Sequence, residues 1–279
     1  MTTLDAPRPV VRRLVEETLA EDLGVLGDIT SIACVGEDQT AIAAFVTRAD
    51  GVLAGAAFAT ETYHQLDANI DVKWRVRDGE SIEAGMHLGR ISGPLRAILT
   101  GERTALNFLC HCSGIATETR RYVRAAHGKA RILDTRKTIP GLRAAQKAAV
   151  RAGGGFNHRD SLSDAVLIKD NHLAVLGLAK SVERARSRWP GRLIEVECDS
   201  MEQLEEAIGT GVDRVLVDNM SPDQVAEAVK IVAGRVKIEV SGGITMETIE
   251  AYADTGCDFI SVGALTHSVR VLDIGLDVL

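Results

Sequence analysis

Three charged residues close three successive apolar runs: Lys169 after Ala165-Val166-Leu167-Ile168, Glu197 after Leu193-Ile194-Glu195-Val196, and Asp218 after Arg214-Val215-Leu216-Val217. Each has a chemistry of its own. A lysine amine can hold an anion or form a Schiff base with a carbonyl. Paired carboxylates are hard oxygen ligands suited to Mg²⁺ that is shared with a substrate phosphate. Two further runs end in glycine turns, Ser241-Gly242-Gly243 and Val262-Gly263-Ala264, where missing side chains expose backbone N–H groups to a phosphate. Another ends in Asp134-Thr135-Arg136-Lys137 and opens a basic stretch. Between residues 131 and 169 there are eight Lys or Arg against three Asp, a local +5 in a chain whose net charge is −7. A basic island in an acidic protein focuses small anions. Within it, the flexible turn GGGFN precedes His158 and Arg159, which it can present to a ligand. At this level three readings stand: an enzyme acting on a phosphorylated anion, a Schiff-base aldolase using Lys169, and a phosphate-binding module without catalysis.

The elements that must position these groups are legible from residue 113 onward. Six β-branched runs, at 131–133, 165–168, 193–196, 214–217, 236–240 and 259–262, alternate with helical segments. The later ones recur every 21 to 24 residues or so, one βα unit each, which predicts parallel strands with crossover helices. In a parallel βα barrel all strand C-termini lie on one face, so the polar ends converge on a single mouth. Six strands, where a full barrel has eight, predict a reduced or open barrel. Helix starts are signalled by Ser200 with Gln203, by Ser221-Pro222 with Gln224, and by Thr245 before Met246.

Residues 1–112 read as a separate α+β domain, 113–268 as the barrel, and 269–279 as a segment packing back on the first domain. Leu14, Val15, Leu19 and Leu23 recur at helical spacing, and Asp22-Leu23-Gly24 with Gly27-Asp28 are expected to close that helix. AIAAFVTRADGVLAG and DVKWRVRDGESIEAGMHLGRISG read as strands with Gly and Asp turns. The second has the look of a biotinyl or lipoyl carrier hairpin, yet no lysine sits at its tip. Cys110 and Cys112, two apart on a helix, fall on different faces and read as core residues.

Composition narrows the classes of function. The 279 residues are 46% hydrophobic and 25% charged, values of a globular chain with a real core. A net charge of −7 with 4% aromatics argues against a nucleic-acid surface. The longest uncharged stretch, Thr104–Thr117, is too short and polar for a membrane span. No apolar core with a small-residue cleavage site opens the chain, and five scattered cysteines fit a reducing compartment, so a cytoplasmic protein is expected.

The residues also carry a resemblance. ERTALNFL (102–109), SGIAT (113–117), DTRKTIPGLR (134–143), KAAVRAGGGFNHR (147–159), LSDAVLIKDNH (162–172), IEVE (194–197), LVDNM (216–220), VSGGI (240–244) and ISVGALTHS (260–268) resemble the quinolinate phosphoribosyltransferases. GDITS at 27–31 and the DGESIEAG segment extend the likeness along nearly the whole chain. Cys110, Cys112, Ile139 and Ala148 depart from the family pattern, and none is a charged site position. The resemblance implies an N-terminal α+β open sandwich followed by a reduced, about six-stranded βα barrel. It also implies a reaction in which quinolinate and phosphoribosyl pyrophosphate give nicotinate mononucleotide, pyrophosphate and CO₂ with Mg²⁺. By matching positions, Arg103, Thr135, Arg136, Lys137, His158, Arg159 and Lys169 would hold quinolinate. Lys137, Lys169, Glu197 and Asp218 would be catalytic and surround the ribose, the pyrophosphate and the metal, with Glu197 and Asp218 on Mg²⁺ directly or through water. Ser241, Gly242, Gly243, Val262, Gly263 and Ala264 would complete the phosphoribosyl pyrophosphate site. Arg103 would come from a second subunit, making the protein a homodimer or larger. A pyrophosphorylase-like protein of metal-transport operons shares much of the pattern, and the dicarboxylate arginines argue against it.

Overall fold

The computed structural model describes residues 4–279, which divide into two compact units. One contains the chain as far as Arg120, with Thr138–Gly154 and Leu265–Leu279. The other contains Arg121–Lys137 and Gly155–Ala264.

Strands β1 (Thr40–Thr47), β2 (Gly51–Val52), β3 (Asp71–Trp74), β4 (Ser81–Ile82) and β5 (His87–Pro94) belong to the first unit. The second holds β6 (Arg131–Leu133), β7 (Val166–Ile168), β8 (Ile194–Cys198), β9 (Arg214–Asp218), β10 (Lys237–Ser241) and β11 (Phe259–Ser261). The last strand, β12 (Ile274–Val278), returns to the first.

In the first unit β12, β1, β5 and β3 form an antiparallel sheet in that order, with Phe45 opposite Leu276. One face packs Phe45 against Trp74, ring centroids 4.8 Å apart, together with buried Tyr63, Leu88, Ile91 and Ile98. Each such side chain contributes about 1.5–3 kcal/mol on leaving water. The helix Arg8–Leu23 buries Val11, Leu14, Val15 and Leu19 as its spacing requires, while Leu23 is only half-buried. Gly27-Asp28 does not close that helix. Gly24 ends it with a positive φ, and Asp28 starts a new one, Ile29–Cys34, by accepting from the Ser31 amide at 2.9 Å and from Thr100 Oγ1 at 3.0 Å. Cys112 is buried, and Cys110 points its thiol at the Ile274 carbonyl, so neither faces a shared ligand.

The sequence boundary at 112 falls inside one continuous helix, Leu95–Ala125. Helix Arg143–Ala152, expected with the barrel, belongs to the first unit instead.

The second unit is a six-stranded parallel sheet in the order β6, β11, β10, β9, β8, β7. Its first strand lies beside its last, the wrap of a barrel, with the remaining opening between β6 and β7. Phe156 lies at the β6 edge, bridging Leu133 with its amide on Ile132 O at 2.8 Å. Buried Ile132, Ile168, Ile194, Val196, Val215, Val217, Ile238, Val240 and Ile260 alternate along their strands and pair across the ladder, so they make one face of the sheet apolar. Ser200 and Ser221 cap helices Met201–Gly209 and Pro222–Val232, the latter with a reciprocal bond to Gln224. Thr245 does not start its helix: its amide bonds Thr248 Oγ1 in a turn, and the helix begins at Ile249.

Candidate active site

The strand ends of the second unit carry the groups read from the sequence. At the end of β7, Lys169 is held as the first turn of helix Asp170–Leu176 forms, its amide donating to Nδ1 of His172 at 3.1 Å. Its ammonium forms an ion pair with Glu197 of β8. Glu197, Asp199 and Asp218 each place a carboxylate oxygen within 4.8 Å of the others. Asp199 was not singled out in the sequence. The signal was there, because Asp199 follows the end of β8 two residues after Glu197, the spacing that keeps side chains on one side of a strand.

Two glycine-turn residues are bound up with Asp218. Asn219 adopts φ 56°, donates its side-chain amide to Asp218 at 2.7 Å, and bonds its backbone amide to Ser241 O at 2.9 Å. A Cβ on Gly242, whose φ is +97°, would stand 2.2 Å from Asn219 Oδ1. Glycine at 242 therefore lets Asn219 pack and orient Asp218. Gly243, also at positive φ, faces open space. Val262 differs from the sequence expectation. Its side chain is buried and its amide already donates to Leu133 O at 2.9 Å, so it is not a donor to phosphate.

On the β6 side, Asp134 is fully buried and spends its carboxylate on chain geometry, accepting from Asn157 Nδ2 and from the His158 amide at 2.9 Å. Thr135 Oγ1 accepts from the Lys137 amide at 3.0 Å, and the Lys137 side chain is exposed. Arg159 reaches the Ala165 carbonyl at 3.2 Å. Burial, and then the charge of Arg136, pull the Arg159 guanidinium below its ordinary pKa. Arg136 meanwhile has a buried Nε without a hydrogen-bond partner. Two guanidinium groups that repel each other, one with an unspent donor, make a setting for an anion.

His158 meets partners that the sequence did not indicate. Its Nε2 sits 3.0 Å from Glu195 and 3.5 Å from Glu239, both buried, and its Nδ1 accepts from the Arg159 amide at 2.8 Å. Arg214 closes the cluster at 2.7 Å from Glu239 and stacks over Phe259 at 4.3 Å, while Ser261 Oγ donates to Glu239. Burial alone would push the His158 imidazole down, but the two carboxylates outweigh it and leave its pKa raised. Burial, and then the neighbouring Glu195, push Glu239 up to about 7. Glu195, Arg214, Glu239 and Ser261 went unassigned in the sequence because they lie inside runs that read simply as strands. Arg103 stands exposed on helix Leu95–Ala125 in the first unit.

Comparison with known proteins gives the family. Residues 28–113 match the N-terminal domain and 115–277 the C-terminal domain of quinolinate phosphoribosyl transferase. The chain is 45% identical over 281 residues to a nicotinate-nucleotide pyrophosphorylase (carboxylating) of Mycobacterium leprae, covering 98% of this chain and 97% of that one. It is 43% identical over 271 residues to a probable enzyme of the same description from Bacillus subtilis, covering 96% and 93%. A nicotinate-nucleotide pyrophosphorylase structure from Francisella tularensis superposes with a TM-score of 0.95 over the full length of both chains at 44% identity. The chain belongs to the quinolinate phosphoribosyl transferase family.

Proposed function

We propose that this chain transfers the phosphoribosyl group of phosphoribosyl pyrophosphate to the ring nitrogen of quinolinate. The products are nicotinate mononucleotide, pyrophosphate and CO₂, a step of de novo NAD synthesis. Family membership supports the reaction, and the observation that carries the substrate is the Arg136–Arg159 pair. A dicarboxylate supplies the charge both guanidinium groups lack, and planar forks bind carboxylates in a way lysine cannot. Membership of this family also displaces the aldolase and plain phosphate-binding readings.

The chemistry asks for positioning and electrostatics more than for a base. Pyrophosphate departure leaves an oxocarbenium-like ribose, so the site must hold the quinolinate nitrogen behind C1 and neutralise a departing polyanion. Lys137 and Lys169 supply positive charge, and the open backbone at Gly243 with Ser241 and Gly242 receives the 5-phosphate beside Gly263 and Ala264. Once alkylated, the positive ring nitrogen stabilises the electron pair left on the adjacent carbon as its carboxylate departs as CO₂, and that carbon then takes up a proton from water. Glu197 and Asp218, joined by Asp199, fit Mg²⁺: three hard oxygen donors gathered beside a polyanion site would repel the substrate without a cation. When bound there, the ion would screen the pyrophosphate and stabilise its charge as it departs.

The working protein in this reading is a homodimer or larger, with exposed Arg103 reaching the dicarboxylate of a partner subunit's site. It acts in the cytoplasm, where its five free thiols suit a reducing compartment. No described helix is long and apolar enough to cross a membrane.

Incubation with quinolinate, phosphoribosyl pyrophosphate and Mg²⁺ should release CO₂ and mononucleotide, with nicotinate a far poorer acceptor because it leaves a guanidinium unpaired. Equal kcat/KM for the two acids would remove the arginines from the substrate. Arg103→Ala and Lys137→Ala should each be nearly inactive and regain activity when mixed. No recovery despite demonstrated subunit exchange would place Arg103 in its own subunit's site.

A further inference from the structure

Beneath the strand ends lies a charged cluster that the reaction above does not use. Four successive strands each give it one residue: Glu195 from β8, Arg214 from β9, Glu239 from β10 and Ser261 from β11. The two glutamates are 1% exposed or less. Arg214 Nη1 lies 2.7 Å from Glu239 and 3.8 Å from Glu195, and Ser261 Oγ donates to Glu239. Buried ion clusters are poor devices for stability, since apolar residues of equal volume usually do as well or better. This one faces a single side chain from outside the strands, the imidazole of His158.

The contacts of His158 run onward in one direction. Nε2 points at the two carboxylates and Nδ1 accepts the Arg159 amide, so both ring nitrogens are engaged within the protein. The His158 amide and the Asn157 side chain are tied to Asp134, and the Arg159 guanidinium to the Ala165 carbonyl. The segment 157–159 is thus held at ring, backbone and guanidinium. The guanidinium of Arg159, fixed at the Ala165 carbonyl, stands in the field of Arg136.

We infer that the buried Glu195–Glu239 pair, locked by Arg214 and Ser261, is a positioning device that grips His158 and thereby sets Arg159 for the substrate dicarboxylate, so that His158 is a positioning residue and not a substrate contact. This rests on the quinolinate reading of the site. It adds four residues, Glu195, Arg214, Glu239 and Ser261, to those that determine acid specificity, and it moves His158 from the substrate to the support behind Arg159.

The test is a split between the two substrates. Assayed at pH 8, where Glu239 is ionised, Glu239→Gln keeps the shape of the side chain and removes its charge, and it should raise the KM for quinolinate about tenfold through a misplaced Arg159, with the KM for phosphoribosyl pyrophosphate nearly unchanged. Ser261→Ala, a milder change should the first variant fold poorly, should move quinolinate KM in the same direction by about threefold. Because the device acts through Arg159, Glu239→Gln added to Arg159→Lys should cost less than the sum of the two. Nitrogen-15 spectra at pH 8 should show His158 with an unprotonated Nδ1 that saturating quinolinate does not change. Equal shifts of both KM values, no shift in either, additivity with Arg159→Lys, or a quinolinate-induced protonation of Nδ1 would each overturn the inference. If the unmutated chain fails to turn over quinolinate, the functional reading falls and the inference with it. Normal turnover with unaltered variants would remove the inference alone.

Discussion

Strand β8 carries two glutamates two residues apart, on the same side of the sheet, and they have opposite fates. Glu195 is 1% exposed and is surrounded by His158, Arg214 and, across the cluster, Glu239. Glu197 is 13% exposed, pairs with a half-exposed lysine, and has two more carboxylates beside it. The deeper glutamate faces cations supplied by the protein, whereas the outer trio has one ammonium for three negative charges. Identical side chains one pleat apart are thus committed to architecture in one case and kept for a ligand in the other, and what separates them is which charges the fold brings up to each.

The sharpest break in that comparison is Arg214→Met. Removing Arg214 leaves Glu195 and Glu239 with His158 as their remaining cation, and should destabilise the protein by about 3–5 kcal/mol in urea unfolding. Glu197→Gln, at a solvent-screened pair, should cost less than about 1 kcal/mol. Equal losses would erase the distinction between the two glutamates.

A second contrast lies in turnover. Glu197→Gln/Asp218→Asn should fold normally and lose about 10²-fold or more in kcat/KM, the scale of removing electrostatic stabilisation of a departing anion. Mg²⁺ should cease to strengthen phosphoribosyl pyrophosphate binding, while quinolinate affinity hardly moves. Calorimetric titration with and without Mg²⁺ reads both, and an unaltered Mg²⁺ effect would take these residues off the metal.

The smallest effect is in pH. Glu239 holds its proton to about 7, against an ordinary 4.5, because burial and then Glu195 disfavour its charged form. The folded chain therefore binds this proton more tightly than the unfolded one, so the stability it contributes is complete below about 4.5 and drains as pH rises toward 7. Relative to Glu239→Gln, the unmutated protein should lose stability between pH 5 and pH 8. A difference independent of pH would show that Glu239 is charged throughout.

Much of the outer site was legible because the apolar runs stop within a residue or two of the strand ends, and Lys169, Glu197 and Asp218 stand at that punctuation. The deeper cluster was not, since Glu195 in IEVEC and Glu239 in KIEVS look like chance polar residues until the barrel wrap faces them toward His158. The contact of His158 with them was hidden for the same reason: a flexible GGGFN turn says nothing about which acid waits on the other side. Val262 reads as part of a glycine turn, yet its amide closes the β11–β6 ladder. The domain limits are a different matter: the two family domains part between 113 and 115, where the composition changes, while the compact units share the chain out differently. Helices Leu95–Ala125 and Arg143–Ala152 are the reason, because the apolar face of a helix does not say which body it packs against.

The pairing of β12 with β1 has a bearing on the order of events during synthesis. Phe45 meets Leu276 only after more than two hundred intervening residues have been made. Until then the outer edge of β1 is an open row of backbone groups, able to accept a strand from another chain. All residues of the barrel unit precede β12, so the barrel can close while its older neighbour still waits for its last strand. The part of this protein that is translated first is the part that finishes folding last, and nascent chains on crowded ribosomes are where its risk of aggregation concentrates.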